Sequence, residues 1–318
     1  MERSVAFPRS AALWIADSVL WGSFSLVLFQ AAAVTPIVGP AISLFAPLPL
    51  IFLSLRRGLV GGALGLLFPF LFLVSFTSSF PRAISLVLEF GGMALVLGEG
   101  IRRGWRGERA VLVGTLVAGS GIALLLISDI WRFQVGLFHL LDRQIASRLQ
   151  EVREILAKTA LSTASWDALE HFLVQSYPSL LFLSILFGAV VNYYLARYIR
   201  GLGNPEARKK DLPFSSWSLP EYWIWGLILS LLLYLLPEPY RRAGLNLLLV
   251  FLGLYLLQGA AVSSSLFRRW QLPTALKVFL YLLSFSQPFL LLLLALIGLS
   301  DVWLNFRKMA DPISSDGG

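Results

Sequence analysis

The residue best placed to do chemistry in this chain is an acid inside an apolar run. Glu89 stands in "AISLVLEFGGMALVLGEG", seven residues beyond Arg82 and thirteen before Arg102. If that run is a membrane helix, Glu89 lies near mid-membrane, where an ionised carboxylate is costly unless paired or wetted. Two roles fit it: a group that contacts a ligand or a proton, or an acid that is protonated or hydrogen-bonded to a neighbouring helix. Asn192, Asn246 and Gln258 are polar amides in comparable runs. Together with Glu89 they form the candidate ligand-contacting set, although an amide at such a position also serves as a helix-to-helix hydrogen bond. Asp17 is a further polar group of this kind, and Glu99 is close enough to Arg102 and Arg103 to form an interfacial ion pair.

Signatures of catalysis are missing. There is no Walker A sequence, and the two His, 139 and 171, belong to no H-E-x-x-H. "AGSG" at 118–121 and "GLSD" at 298–301 are near misses to intramembrane serine and aspartyl protease motifs, and no span supplies a His as base. Zero Cys removes disulfides, thiolate metal sites and Cys nucleophiles together. We expect no enzyme, no metal and no cofactor.

These side chains need elements to hold them, and composition says what those are. Of the 318 residues 57% are hydrophobic and 14% charged, with a mean hydropathy of +0.75. That is more apolar surface than a soluble domain buries around one core, so the solvent for most of the chain is lipid. A span needs about 20 apolar residues. Such runs lie near 11–34, 41–55, 58–78, 83–101, 110–130, 178–198, 221–237, 243–267 and 273–300. The second is short and holds Pro47 and Pro49, so it begins earlier or is broken; Gln287-Pro288 kinks the ninth or splits it. The runs are continuous, whereas barrel strands alternate. The expected fold is all-α: a polytopic transmembrane helix bundle of about eight or nine spans with an extracytoplasmic amphipathic segment. Its parts are an N-terminal bundle at 1–130, the outer segment at 131–174 and a C-terminal bundle at 175–318.

Charge orients the bundle. Arg and Lys collect at 56–57, 101–109, 197–210 and 267–270, each cluster two spans from the next, which places all four and the N-terminus in the cytoplasm. Arg241-Arg242 fall on the outer side and are the exception. The net charge of +8 sits in short loops at the ends of spans and not on a basic domain, which argues against nucleic acid as a partner. A first run resembling a signal peptide is too long for one and contains Asp17, so it reads as an uncleaved span. In 131–174, Leu137, Leu141, Ile145, Leu149, Val152 and Leu156 recur at helical spacing among five basic and five acidic residues, which makes an amphipathic helix on the outer face. It rests on the mouth of the bundle or serves as a partner-binding helix or lid.

Small residues recur on helix faces. "GLVGGALG" holds Gly58/Gly62 and Gly61/Gly65, and "QGAAVSSS" holds Gly259/Ser263. Such faces let backbones approach closely where no hydrophobic effect drives helices together, within one chain or between subunits.

The C-terminal third closely resembles the YybS-like family of bacterial multi-pass membrane proteins through "PFSSWSLPEYW" (213–223), "NLLLVFLGLYLLQGAAVSSSLFRRW" (246–270) and "LIGLSDVWLNFRK" (296–308). The telling positions are Pro213, Trp217, Asn246, Gln258, Gly259, Asp301, Trp303 and Arg307. The family has no established activity; the resemblance implies a multi-pass protein of the bacterial cytoplasmic membrane. A more distant resemblance joins "APLPLIFLSLRRGLVGGALGLL" (46–67) to the substrate-binding subunits of energy-coupling-factor transporters. In those subunits an Ala-x-x-x-Ala docks the coupling protein, and Ala12 and Ala16 have that spacing here. Two classes follow: a non-catalytic small-molecule-binding or transport-related membrane subunit with coupling partners, or a scaffold for cell-envelope assembly.

Overall fold

The computed structural model describes residues 9–34, 38–76, 80–136, 163–203 and 213–307, together with Asp142, Ile145 and Leu149. Among these every regular element is helical. In chain order they are α1 (Arg9–Val34), α2 (Gly39–Ser43), α3 (Pro47–Phe76), α4 (Phe80–Ser85), a π-helical turn (Leu86–Gly91), α5 (Gly92–Arg102), α6 (Gly107–Phe133) and α7 (Thr163–Gly203). Two short 3₁₀ turns, Phe214–Ser216 and Glu221–Trp223, lead to α8 (Ile224–Tyr234), α9 (Tyr240–Arg269), α10 (Thr274–Ser286) and α11 (Pro288–Leu304). Six helices are long and apolar enough to cross a membrane, and α10 with α11 makes a seventh, broken candidate. Most of the predicted outer segment lies outside the described residues.

Two compact units share the chain: residues 1–137 with 184–211, and 138–183 with 212–318. The boundary falls within α7.

In the first unit α1 packs on α3, α3 on α5, and α5 on α6. α3 is broken at Gly58, whose φ of 74° lies in the left-handed region that glycine tolerates. The chain reverses there. Leu50 and Leu53 of the arm before the break lie against Gly65 of the arm after it, and Ser54 lies against Gly62. Fifteen residues of unbroken helix would hold Leu50 and Gly65 about 22 Å apart. The stretches predicted at 41–55 and 58–78 are thus two arms side by side, and the small residues between them set their spacing. A Cβ at Gly22 of α1 would in turn sit on the Gly65 carbonyl. The basic clusters of this unit gather at one end: the Arg102 guanidinium lies over Gly58, Arg57 binds Asp17 through Nε and Nη2 at 3.0 and 2.5 Å, and Arg200 donates to the Ile101 carbonyl.

The second unit is built on α9, which packs against α8 and α11. A Cβ at Gly259 would fall on the Leu294 carbonyl of α11, and one at Gly298 on the Tyr255 carbonyl of α9. The two backbones touch at this crossing, so no larger residue fits either position. The break predicted at Gln287-Pro288 is present: Gln287 is extended, and Pro288 opens α11, where a missing N–H costs nothing.

α7 differs from its expected start at 178, because it begins at Thr163 and continues through Pro178. Proline removes the N–H that would bond the Val174 carbonyl, and that carbonyl accepts instead from Arg242 Nη2 at 3.0 Å. The Asn246 amide binds on both sides of the break, accepting from Ser179 N–H at 2.9 Å and donating to the Gln175 carbonyl at 2.8 Å. Groups freed by a helix break must be satisfied internally in lipid, and α9 supplies the means. Arg242 also binds Asp142 at 2.8 Å. Of the two arginines that depart from the expected charge pattern, Arg242 is therefore a partnered, structural one.

Candidate functional site

Glu89 is carried by the π-helical turn inside the 23-residue span Phe80–Arg102. One extra residue in a turn widens the helix and changes the direction in which side chains leave it, and such turns recur at functional sites. Here the turn brings Glu89 and Phe90 to the wall of a cavity of about 230 Å³, which they line with Ser43, Leu44, Met93, Ser184, Ile185 and Gly188. The end of α2, the π turn and the first-unit half of α7 thus supply its walls. Phe90 is fixed by an edge-to-face contact with Phe29, ring centroids 5.4 Å apart. No hydrogen bond or ion pair holds the Glu89 carboxyl among the described residues, and no Lys, Arg or His lines the cavity.

Asn192 lies one turn beyond Gly188 and is fully buried. Its Nδ2 donates to the carbonyls of Leu44 and Gly188, two residues of the cavity wall, at 2.7 and 2.8 Å, while its Oδ1 has no partner. It ties α7 to the turn after α2 and so fixes the distance across the cavity. The serines and Leu44 were missed in the sequence, where a Ser in an apolar run carries no signal by itself.

The other candidates belong to the second unit. Asn246 is committed to the proline break. Gln258 accepts from Leu219 N–H at 3.0 Å and donates to Asp301 Oδ2 at 3.2 Å. An αL residue, Asn305, ends α11 and turns the chain so that Arg307 returns to Asp301 Oδ2 at 2.8 Å and to the Ser215 carbonyl at 3.0 Å. These bonds pin the segment 213–219 against α9 and α11, with Trp217 fully buried. Of the family-like positions, Trp217, Gln258, Asp301 and Arg307 meet at this knot, Gly259 forms the crossing beside it, Pro213 opens the pinned segment, and Trp303 is exposed.

A larger hollow of about 750 Å³ lies along α1, walled by Ile15, Ala16, Val19, Leu20, Ser23, Phe24 and Val27. One helix face with no charged group describes a surface for acyl chains and not a specific site. Ala16 is exposed on it; the side chain of Ala12 is outside the described residues. A Cβ at Gly61 would meet Arg57 of α3 and Trp14 of α1, and Ser263 is buried on α9.

Comparison with known families places the chain. A model described as "Predicted membrane protein (DUF2232)" matches residues 23–302. The chain belongs to the DUF2232 family. The match covers the π turn, both arms of α3, Gln258 and Asp301 of this DUF2232 chain, while Arg307 lies beyond the matched residues. No curated protein and no solved structure matches it.

Proposed function

We propose that the protein is a non-catalytic membrane subunit that binds a small molecule at the Glu89 cavity. One observation carries this reading: a carboxyl group within a span, on a π-helical turn, faces a cavity and has no protein partner among the described residues. Carboxylates at such depth are tolerated beside water, a cation or a polar ligand, and by default they mark a pathway or a site. The chain sits in the bacterial cytoplasmic membrane with its N-terminus and basic ends inside, and transport, where it occurs, depends on separate coupling subunits.

Native mass spectrometry of the purified protein tests the proposal. A co-purifying molecule retained by the wild type and lost from Glu89→Gln is the expected result. A wild type free of adducts, whose stability responds to no added small molecule, would move the assignment to an envelope scaffold.

A further inference from the structure

We infer that the Glu89 cavity selects a small organic ammonium ion; this rests on the reading of the cavity as a binding site. The first reason is charge. Glu89 is the one ionisable residue lining the cavity among the described residues, so the counter-charge to an ionised carboxylate there has to arrive with the ligand. An anion would be repelled, and a neutral molecule would leave the carboxylate uncompensated.

The second reason is the inventory of donors and acceptors. A primary ammonium has three N–H donors and no acceptor. The cavity offers the Glu89 carboxylate and the hydroxyls of Ser43 and Ser184, and a hydroxyl that donates elsewhere still accepts. The third is size. A volume of 230 Å³ is several times the roughly 30 Å³ that one water occupies, too wide for its walls to grip a bare alkali ion. At a packing density of about 0.75 it takes a molecule of up to roughly ten non-hydrogen atoms. The rest of the wall suits an apolar body beside a cationic head: Leu44, Met93 and Ile185 are aliphatic or thioether surfaces, and the Phe90 ring can face a cation.

The test uses the full chain in lipid nanodiscs with four probes at equal concentration: phenethylammonium chloride, phenethyl alcohol, sodium phenylacetate and sodium chloride. The ammonium alone is expected to raise the midpoint of thermal unfolding by a few degrees, since a ligand that binds only the native state stabilises it. That shift is expected to vanish in Glu89→Gln and in Gly188→Leu. The second variant fills the cavity without touching the carboxyl, and so keeps the test valid should Glu89→Gln fold poorly. An equal shift from the alcohol, the phenylacetate or sodium chloride would overturn the ammonium assignment, as would an ammonium shift that survives both variants, or no shift from any probe. A neutral or anionic molecule that co-purifies with the wild type and leaves with Glu89→Gln would overturn the ammonium class and keep the cavity as a site. The absence of both adduct and shift would remove the site itself.

Discussion

Each unit of this protein places polar side chains inside apolar helices, and the contrast lies between the partnered knot of the second unit and Glu89 of the first. In the second unit the polar groups are consumed by backbone and by one another: Asn246 closes the proline break, and Gln258, Asp301 and Arg307 pin the segment 213–219. In the first unit Asn192 is likewise bonded to the Leu44 and Gly188 carbonyls, whereas Glu89 faces a cavity with no partner among the described residues. A polar residue in a span is thus explained by what the neighbouring backbone lacks, and where the backbone lacks nothing a ligand becomes the better account.

The comparison breaks most readily at Asp301. Asp301→Ala takes the shared acceptor from the half-buried Arg307 guanidinium and the buried Gln258 amide, and removal of one partner from a buried pair costs about 3–5 kcal/mol. Thermal unfolding in detergent should show a large loss. A loss below about 1 kcal/mol would mean that water replaces the carboxylate and that the knot is solvated.

Next comes the crossing of α9 and α11. Gly259→Leu forces a side chain onto the Leu294 carbonyl and should cost about 1–3 kcal/mol or more, whereas Leu67→Ala, at a half-exposed position, should be mild. Equal stability of the two variants would show that the helices separate freely.

Asn246→Ala follows. It strands the Ser179 N–H and the Gln175 carbonyl, a loss of about 1–3 kcal/mol. Pro178→Ala in the same background should recover part of it, because the restored helix satisfies those groups itself. Absence of any recovery would separate Asn246 from the proline break.

How much of this was legible in the sequence varies by level. The helical membrane class followed from apolar runs alone, as did the break at Gln287-Pro288 and the Glu99 pairing with Arg102 and Arg103, each of which depends on residues near in sequence. The reversal near 56–58 was legible as the gap between the runs 41–55 and 58–78, but Gly58 as its hinge was not, since a glycine-rich run reads equally as a packing face or as a turn. Nor was the continuation of α7 through Pro178, which depends on Arg242 and Asn246 more than sixty residues away. For the same reason Glu89, Asn192, Asn246 and Gln258 looked alike as polar residues in apolar runs. What separates them is their partners, and partners are a property of the fold.

The smallest stability effect is expected at Glu89, and it decides the comparison. Glu89→Gln keeps the size of the side chain and breaks no hydrogen bond or ion pair among the described residues, so stability without ligand should change by less than about 1 kcal/mol, far less than for Asp301→Ala. The same variant should lose whatever stabilisation an added ligand gives the wild type. A small intrinsic change coupled to a complete loss of ligand response is the behaviour of a site, because a structural residue contributes in the absence of ligand and a binding residue only in its presence. If Glu89→Gln instead cost as much as Asn246→Ala with no ligand present, the carboxyl would have a structural partner in solution, and the two units would handle their polar groups in the same way.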